Sequence, residues 1–364
     1  MKKNIILTLI LALTAVGCSY LDQDPEQLNT LDKVFASRND TKAWFSRIYS
    51  NDYFPQDLWG SAYYNHFMFG QDDANNALDW HIPHVLNGSV SPEKPVTSTD
   101  VYYFSRYYQA IRHCNIFLEN VDKCQELGLV EANRMKAEAR FMRVMYHFWL
   151  LREYGPVPIV TETFTSGFVG RKPYDECVQW MVDEIDEIVD DMYIDRVPDE
   201  WGYPTQGAAL AMKSRILLYA ASPLFNGNTM YANWTNPDGT LLINQKYSAE
   251  KWQDAAEAAK AVIDLNKYSL HTPETTEFDD VVDNYREITT TWNDELIWAK
   301  PQSTSWFAMQ SIPACFYGWN GRTTVSLNLA NAYFMADGSS ARPLEEWFEN
   351  KQWSDAEGLS LIHI

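Results

Sequence analysis

Apolar residues recur at three- and four-residue spacing through most of the chain from about residue 30 onward. This spacing puts them on one face of a helix, so it predicts a series of amphipathic helices. The clearest of them ends at Gly155-Pro156, a pair that terminates helices. The predicted helices cover residues 100–123, 130–154, 173–192, 205–221 and 248–268.

The last predicted helix illustrates how the pattern assigns a cap and an inner face. Ser248 stands at its start and is expected to cap the first turn, because a hydroxyl can accept from a free backbone N–H there. The residues expected to face the core, at helical spacing, are Trp252, Ala255, Ala259 and Val262.

Four of these helices form two pairs joined by short turns, 100–123 with 130–154 and 173–192 with 205–221. Recurring pairs of amphipathic helices indicate an α-solenoid of the tetratricopeptide kind. No strict repeat period is visible. The predicted fold class is therefore mainly α, an irregular tetratricopeptide-like solenoid of helical hairpins with long aromatic-rich loops. A non-repeating helical bundle fits the sequence about as well.

Three long stretches have little periodicity and combine polar with aromatic residues, namely 51–99, 223–247 and 290–325. Loops of this length in a compact body are usually functional or disordered. Their aromatic content argues against disorder, since disordered segments are poor in aromatic residues. We therefore expect these loops to carry binding residues.

The N-terminus has the order of a secretory signal peptide, with two lysines followed by an apolar run over 5–16. That run is shorter than the about 20 residues of a membrane span. The run closes on Gly17-Cys18, which resembles a lipobox, where the chain is cleaved before the cysteine and the cysteine receives acyl chains such as palmitate. A plain signal peptide with an incidental cysteine is the alternative.

The lipobox predicts the organisation of the chain: a signal peptide over 1–17, a lipidated tether over 18–30 that starts at Cys18, and a single α-helical domain over 31–364. Acidic residues follow the cysteine closely in the tether. In one group of Gram-negative bacteria such acids resemble a signal for export to the cell surface, and a solvated linker is the equal alternative.

The charge and the aromatic content narrow the classes of ligand. The formal net charge is −20, which argues against binding to nucleic acid or to anionic lipid surfaces. The chain has 14 Trp, 21 Tyr and 17 Phe, more than a core needs, which leaves rings for a binding surface. The cysteines after Cys18 have no zinc-ligand spacing and are expected to be buried free thiols: Cys114, Cys124, Cys177 and Cys315.

Catalytic and cofactor signatures are missing from the sequence. It contains no GxSxG, HExxH, GxxxxGK[ST] or GxGxxG motif, so we predict no enzyme, no cofactor and no metal site. His81 and His84 are three residues apart, but Pro83 breaks helical alignment between them. The densest acidic cluster alternates with isoleucines and is expected to form the wet face of a helix: Asp183, Glu184, Asp186, Glu187, Asp190 and Asp191.

Several segments together resemble the SusD/RagB family, the lipid-anchored subunits that capture glycans or peptides for outer-membrane importers. The lipobox and "CSYLDQDPE" resemble the family's start, and "FGQDDANN" (69–76) resembles a loop with an acidic pair. The segment "AEARFMRVMYHFWLLREYGPVPIVTE" (137–162) is the most specific, with a helix, a Tyr-Gly turn and an expected Val-Pro strand. Further similar segments are "YYQAIRHCNIFLENVD", "AALAMKSRILLYAASPLFN", "WQDAAEAAKAVIDLNKYSL" and "ANAYFMADG".

The resemblance implies a cell-surface protein of the outer membrane that captures a glycan and passes it to a TonB-dependent SusC-like transporter. Full members are longer, so we expect this chain to be a C-terminally truncated fragment. Residues 358–364 do not continue the sequence pattern of the preceding chain. Sugar binding by stacking on rings and by hydrogen bonds to hydroxyls is expected at Asp72, Asp73, Trp80, His81, Trp292, Trp306, Tyr317, Trp319 and Asn320.

Three alternatives stay open at this point. The first is a lipid-anchored surface hydrolase acting on the same glycans, because 49 acidic residues are enough to form a carboxylate pair. The second is a peptide-capturing subunit of the RagB kind. The third is a purely structural tetratricopeptide adaptor, which would retain no ligand.

Overall fold

The computed structural model describes residues 30–50, 74–76, 104–163, 167, 169–299, 323–334 and 338–339. Two short strands pair with each other, β1 (Ala74–Asn76) and β2 (Thr323–Val325). The helices are α1 (Leu31–Val34), α2 (Arg38–Arg47), α3 (Phe104–Asn120), α4 (Leu129–Tyr154), α5 (Tyr174–Ile188), α6 (Gln206–Ala221), α7 (Glu250–Asp264), α8 (Phe278–Thr290) and α9 (Leu327–Asn331).

Helices α3 to α7 fall where the apolar spacing predicts them. Each packs chiefly on the next helix along the chain, α3 on α4, α4 on α5, α5 on α6 and α6 on α7. This is the mainly α, tetratricopeptide-like stack of hairpins that the sequence predicts. Such a stack makes each helix depend mostly on its sequence neighbours for burial.

Helix α4 forms the centre of the core, because 16 of its 26 residues are buried. It ends at Gly155, whose φ of 69° and ψ of −148° are accessible in practice only to glycine. A Cβ on Gly155 would lie 2.7 Å from the Trp234 ring, so the turn also requires a residue without a side chain. The Tyr-Gly turn expected from the sequence is thus confirmed.

The expected Val-Pro strand after this turn is wrong, because residues 157–162 form an irregular segment. Side chains of α3 and α4 make most of its hydrogen bonds, and the backbone N–H of Lys172 donates to the Val157 carbonyl. Tyr108 donates to the carbonyl of Pro158, and Asn115 donates to the carbonyls of Val160 and Glu162. The segment is therefore held against the helices without a sheet partner.

Two details of α7 also differ from expectation. Its N-cap is Ala249 and no side chain caps it, so Ser248 does not play that part. Its buried residues are Ala255 and Ala258, whereas Trp252 is 42% exposed. Ala259 is exposed as well. The small residues of this face let α7 approach α6 closely, and the large ring stays outside.

The described cysteines confirm the expectation for thiols, since Cys114, Cys124 and Cys177 are buried and unpaired with one another. Burial raises the pKa of Cys177 to about 11. Such thiols remain protonated and unreactive at neutral pH. Cys315 lies outside the described residues.

Candidate functional site

The structure places one expected ligand-binding residue, Trp292, against a second tryptophan that sequence analysis did not single out. The rings of Trp201 and Trp292 are stacked with centroids 4.7 Å apart and planes 7° from parallel. Trp201 is 36% exposed and Trp292 is half-buried. Each ring covers one face of the other, and part of the Trp201 ring remains in solvent.

The stacked pair joins two segments that are distant in sequence. Trp201 lies in the linker 193–205 between α5 and α6, directly after the single turn Pro198–Glu200. Trp292 lies two residues after the end of α8. The side chain of Asn293 donates to the Ile288 carbonyl of α8 at 3.1 Å, which fixes the exit of the chain from that helix.

A third tryptophan anchors both segments to the core. Trp298 Nε1 donates to the carbonyl of Gly202 at 2.8 Å, and its ring packs edge-on against Phe141 of α4 at 5.8 Å. Tyr203 stacks on Phe45 of α2 with planes 8° from parallel. The partly exposed pair is therefore held by aromatic residues that pack against the core, which restricts the freedom of its rings.

A buried ion pair fixes the other end of the linker. Arg196 pairs with Glu138 of α4, and both side chains are at most 6% exposed. Arg196 also donates to the carbonyl of Pro204 at 3.3 Å, and the Tyr49 hydroxyl donates to Glu138 at 3.3 Å. Burial raises the pKa of Glu138, although Arg196 opposes the shift by favouring the carboxylate.

A second buried polar group lies deeper in α4 and is structural. Arg143 donates to the side chain of Asn115 at 3.1 Å, to the Thr161 carbonyl at 3.2 Å and to Glu184 of α5 at 3.0 Å. Glu184 also accepts from Arg140 at 3.0 Å. The prediction of a solvent-exposed face is therefore wrong at Glu184. The side chain of Glu184 is only 14% exposed, because the buried Arg143 needs a counter-ion.

His147 completes this group and is buried in the neutral form. Its Nε2 accepts from the Val160 N–H at 3.1 Å, so Nδ1 carries the proton and donates to the Arg143 carbonyl at 2.8 Å. Burial, reinforced by the positive charge of Arg143, lowers the pKa of His147 to about 3, while Glu184 opposes the shift. Protonation would put a donor against the Val160 N–H.

This histidine predicts a defined acid sensitivity. The unfolded chain binds the proton below pH of about 6.5 and the folded chain does not, so stability falls as the pH drops from about 6.5 towards 3. At pH 5 we expect a loss of about 2 kcal/mol from this group. Urea unfolding at pH 7.5 and pH 5 should show the loss in the wild type and a smaller one in His147→Gln. Equal losses in both proteins would contradict the assignment.

The other expected site residues lie outside the described residues: Cys18, Asp72, Asp73, Trp80, His81, Trp306, Tyr317, Trp319 and Asn320. The ribbon of two described strands, β1 and β2, borders the sequence segments that carry some of them. Asn76 at the end of β1 pairs with Thr323 at the start of β2 in an antiparallel register. Trp80 follows β1 by four residues and Asn320 precedes β2 by three, both from that same end of the ribbon.

Two further observations concern metal and membrane. Within the described ranges, no three or more His, Cys, Asp or Glu side chains are grouped so that they could hold a metal ion. His81 and His84 lie outside those ranges. None of the described helices combines the length and the apolar character that crossing a membrane would require.

Comparison with known proteins gives consistent matches. The SusD-like family model, described as starch-binding and associating with the outer membrane, matches residues 19–218. The starch-binding protein SusD of Bacteroides thetaiotaomicron is 28% identical over 151 residues, which cover 42% of this chain and 26% of SusD.

Solved structures agree on the fold. The protein BT4246 superposes with a TM-score of 0.73 at 23% identity, over 88% of this chain and 61% of that protein. The surface glycan-binding protein A of Bacteroides uniformis gives a TM-score of 0.52 at 18% identity, over 72% of this chain and 52% of that protein. The chain thus spans less than two thirds of each of these relatives.

Proposed function

We propose, because this chain belongs to the SusD/RagB family, that it captures a glycan at the cell surface without cleaving it and passes it to a SusC-like TonB-dependent transporter. Carbohydrate binding is the function that the family description and the name of SusD share. The proposal adds to carbohydrate binding a transporter partner, transfer of the glycan to that partner and the absence of cleavage.

The stacked pair of Trp201 and Trp292 is the observation that carries the proposal. A pyranose ring has one relatively apolar C–H face, which an aromatic ring can cover while the hydroxyls at its edge remain hydrogen-bonded. The pair offers such a face on a base fixed by Trp298. A preorganised ring loses little freedom when a sugar binds, which favours affinity.

The remaining expected residues extend this surface in our proposal. Trp80 and His81 would meet Trp319 and Asn320 at the end of the ribbon where Asn76 pairs with Thr323. Asp72 and Asp73 would accept hydrogen bonds from sugar hydroxyls, and Trp306 and Tyr317 would supply further rings. The register of the ribbon supports this arrangement, because it joins the two loops at their bases.

We also propose that Cys18 anchors the chain to the outer membrane after removal of residues 1–17, with 18–30 as the tether and 31–364 as one domain. Two or more acyl chains hold a protein stably at about 0.8 kcal/mol per buried CH₂, whereas one chain does not. Radiolabelled palmitate should enter the wild type and not Cys18→Ala. Equal labelling of both would refute the anchor.

A panel of glycans tests capture against hydrolysis. Purified protein is incubated with starch, xylan, mucin glycans and a peptide digest, and both retention and shortened products are measured. We expect retention of at least one glycan without new chain ends. Cleavage that disappears on mutating one carboxylate would favour a hydrolase, retention of peptides alone a RagB-like subunit, and no retention a structural adaptor.

A further inference from the structure

A cleft beside the tryptophan pair contains a positive charge that is unpaired within the described ranges, and the proposed function assigns no role to this charge. The cleft has a volume of about 150 Å³ and lies between α2, the first turns of α4 and the linker 193–205. By the same measure a site for one water needs about 10–15 Å³, so the cleft has room for a polar group of several heavy atoms. Phe45, Tyr193 and Tyr203 supply rings to its wall, and most of the remaining lining is charged.

The three carboxylates that line the cleft are all paired. Glu131 pairs with Arg38 at 2.9 Å and with Lys42 at 2.6 Å. Glu138 pairs with Arg196, as described above, and Glu200 lies 3.3 Å from Arg196 as well. The anionic side of the cleft is therefore already neutralised by cations of the chain itself.

One cation of the lining is left over. Arg134 is half-buried, and its guanidinium lies 4.1 Å from the centroid of the Tyr193 ring. Among the described residues it has no carboxylate within ion-pair distance. A guanidinium held on a ring keeps its edge N–H groups available, and those form the fork that matches a carboxylate.

A second donor in the wall is also unused. Arg196 is 6% exposed, and its guanidinium also lies 4.1 Å from the Tyr193 ring centroid. Its buried Nε has no hydrogen-bond partner among the described residues. A buried donor without a partner carries a desolvation cost, which adds to the unbalanced polar character of this wall.

We propose that this cleft binds the carboxylate of an acidic sugar, a uronic acid residue of the captured glycan, with Arg134 as the primary ligand. The proposal rests on the proposed function and names the chemical class of its ligand. The carboxylate takes the fork of Arg134, and the sugar ring occupies the remainder of the cleft. In a cleft whose other charges are paired, a guanidinium that the described residues leave unpaired favours an anion.

The position of the cleft favours a sugar acid over an unrelated anion. Glu200 lines the cleft, and the next residue is Trp201 of the stacked pair. Adjacent Cα atoms are about 3.8 Å apart, so the cleft and the pair lie within a few sugar units of each other. One acidic glycan can therefore stack on the pair and place a carboxylate in the cleft.

Binding of trigalacturonic acid, its methyl ester, maltotriose and a peptide ending in glutamate to the full chain tests the proposal by calorimetry at pH 7. We expect the acid to bind at least about tenfold more tightly than its ester, as for a charge-assisted fork. Arg134→Met keeps the stem on Tyr193 and should remove that preference. Arg215→Met, an exposed arginine on α6, makes the same change of charge and should keep it.

The outcomes separate this inference from the proposed function. If maltotriose or the ester binds as tightly as the acid, or if Arg134→Met leaves the preference intact, the acidic-sugar cleft is refuted while glycan capture stands. If the peptide binds more tightly than the acid through Arg134, the ligand class is wrong. If the panel glycans and these probes all fail to bind, both proposals fall. The ester comparison needs no variant, so it holds even if Arg134→Met folds poorly.

Discussion

Arg143→Met is expected to destabilise the folded chain by about 3–5 kcal/mol, the usual cost of removing one partner of a buried ionic group. The side chain of Arg143 is 7% exposed and connects three parts of the fold. Without it, the Asn115 side chain and the Thr161 carbonyl lose their donor, and Glu184 loses one of its two counter-ions. Urea unfolding followed by circular dichroism measures the loss.

Arg140→Met is the matched control, because Arg140 also pairs with Glu184 and sits one turn earlier on α4. Its side chain is 26% exposed and also pairs with the exposed Glu187. Solvent screens such pairs, so we expect a loss of about 1 kcal/mol or less. If the two variants lose the same stability, the network around Arg143 does not hold the hairpins together as described.

The double variant Trp201→Ala/Trp292→Ala is expected to weaken retention of the panel glycan about 30-fold or more, as when an aromatic hot spot is truncated. Trp201 lies within the linker 193–205 and Trp292 lies just after α8, and neither belongs to the main core cluster. The helical stack should therefore remain folded, with an unchanged far-ultraviolet spectrum. Affinity electrophoresis against the retained glycan gives the comparison.

Trp252→Ala serves as its control. Trp252 is an exposed tryptophan in the first turn of α7, 42% accessible. Its neighbour Lys251 pairs with Asp175 at the start of α5, whereas the linker that carries Trp201 follows the end of α5. Removal of Trp252 should leave retention unchanged. A loss of the same size in this variant would show that any exposed ring contributes, and unchanged retention in the double variant would exclude the pair as a binding platform.

The helices were the most predictable feature, because their apolar spacing continues over many turns. The central helix has apolar residues at the expected spacing and ends at Gly155, where backbone geometry and the approach of Trp234 both require glycine. The inner face of α7 was less predictable. Spacing alone could not tell that Ala258 faces α6 and that the larger Trp252 stays in solvent.

The spacing of apolar residues does not predict which polar side chains are buried. Arg143 and His147 lie one turn apart on α4, and residues of these types are usually exposed or intermediate in burial. Only the fold shows that an irregular segment after the helix needs their hydrogen bonds. Glu184 was assigned to solvent for the same reason, since its partner lies on another helix.

The sequence indicates which type of residue forms the candidate site, but it indicates only some of the positions. The expectation that aromatic loops carry binding residues includes Trp292, and the structure adds Trp201 from the shorter linker between α5 and α6. The signal for Trp201 in the sequence is its place between Pro198 and Pro204, outside any predicted helix. The pairing of these two rings depends on tertiary contacts through Trp298, which no local pattern encodes.

Hydroxyl-radical footprinting of the full chain, with and without the glycan retained from the panel, tests most directly where the ligand is held. The account predicts that Trp201 and Trp292 lose reactivity together on saturation, while Trp252 reacts as before. Undiminished reactivity of both paired rings in the saturated complex would contradict it.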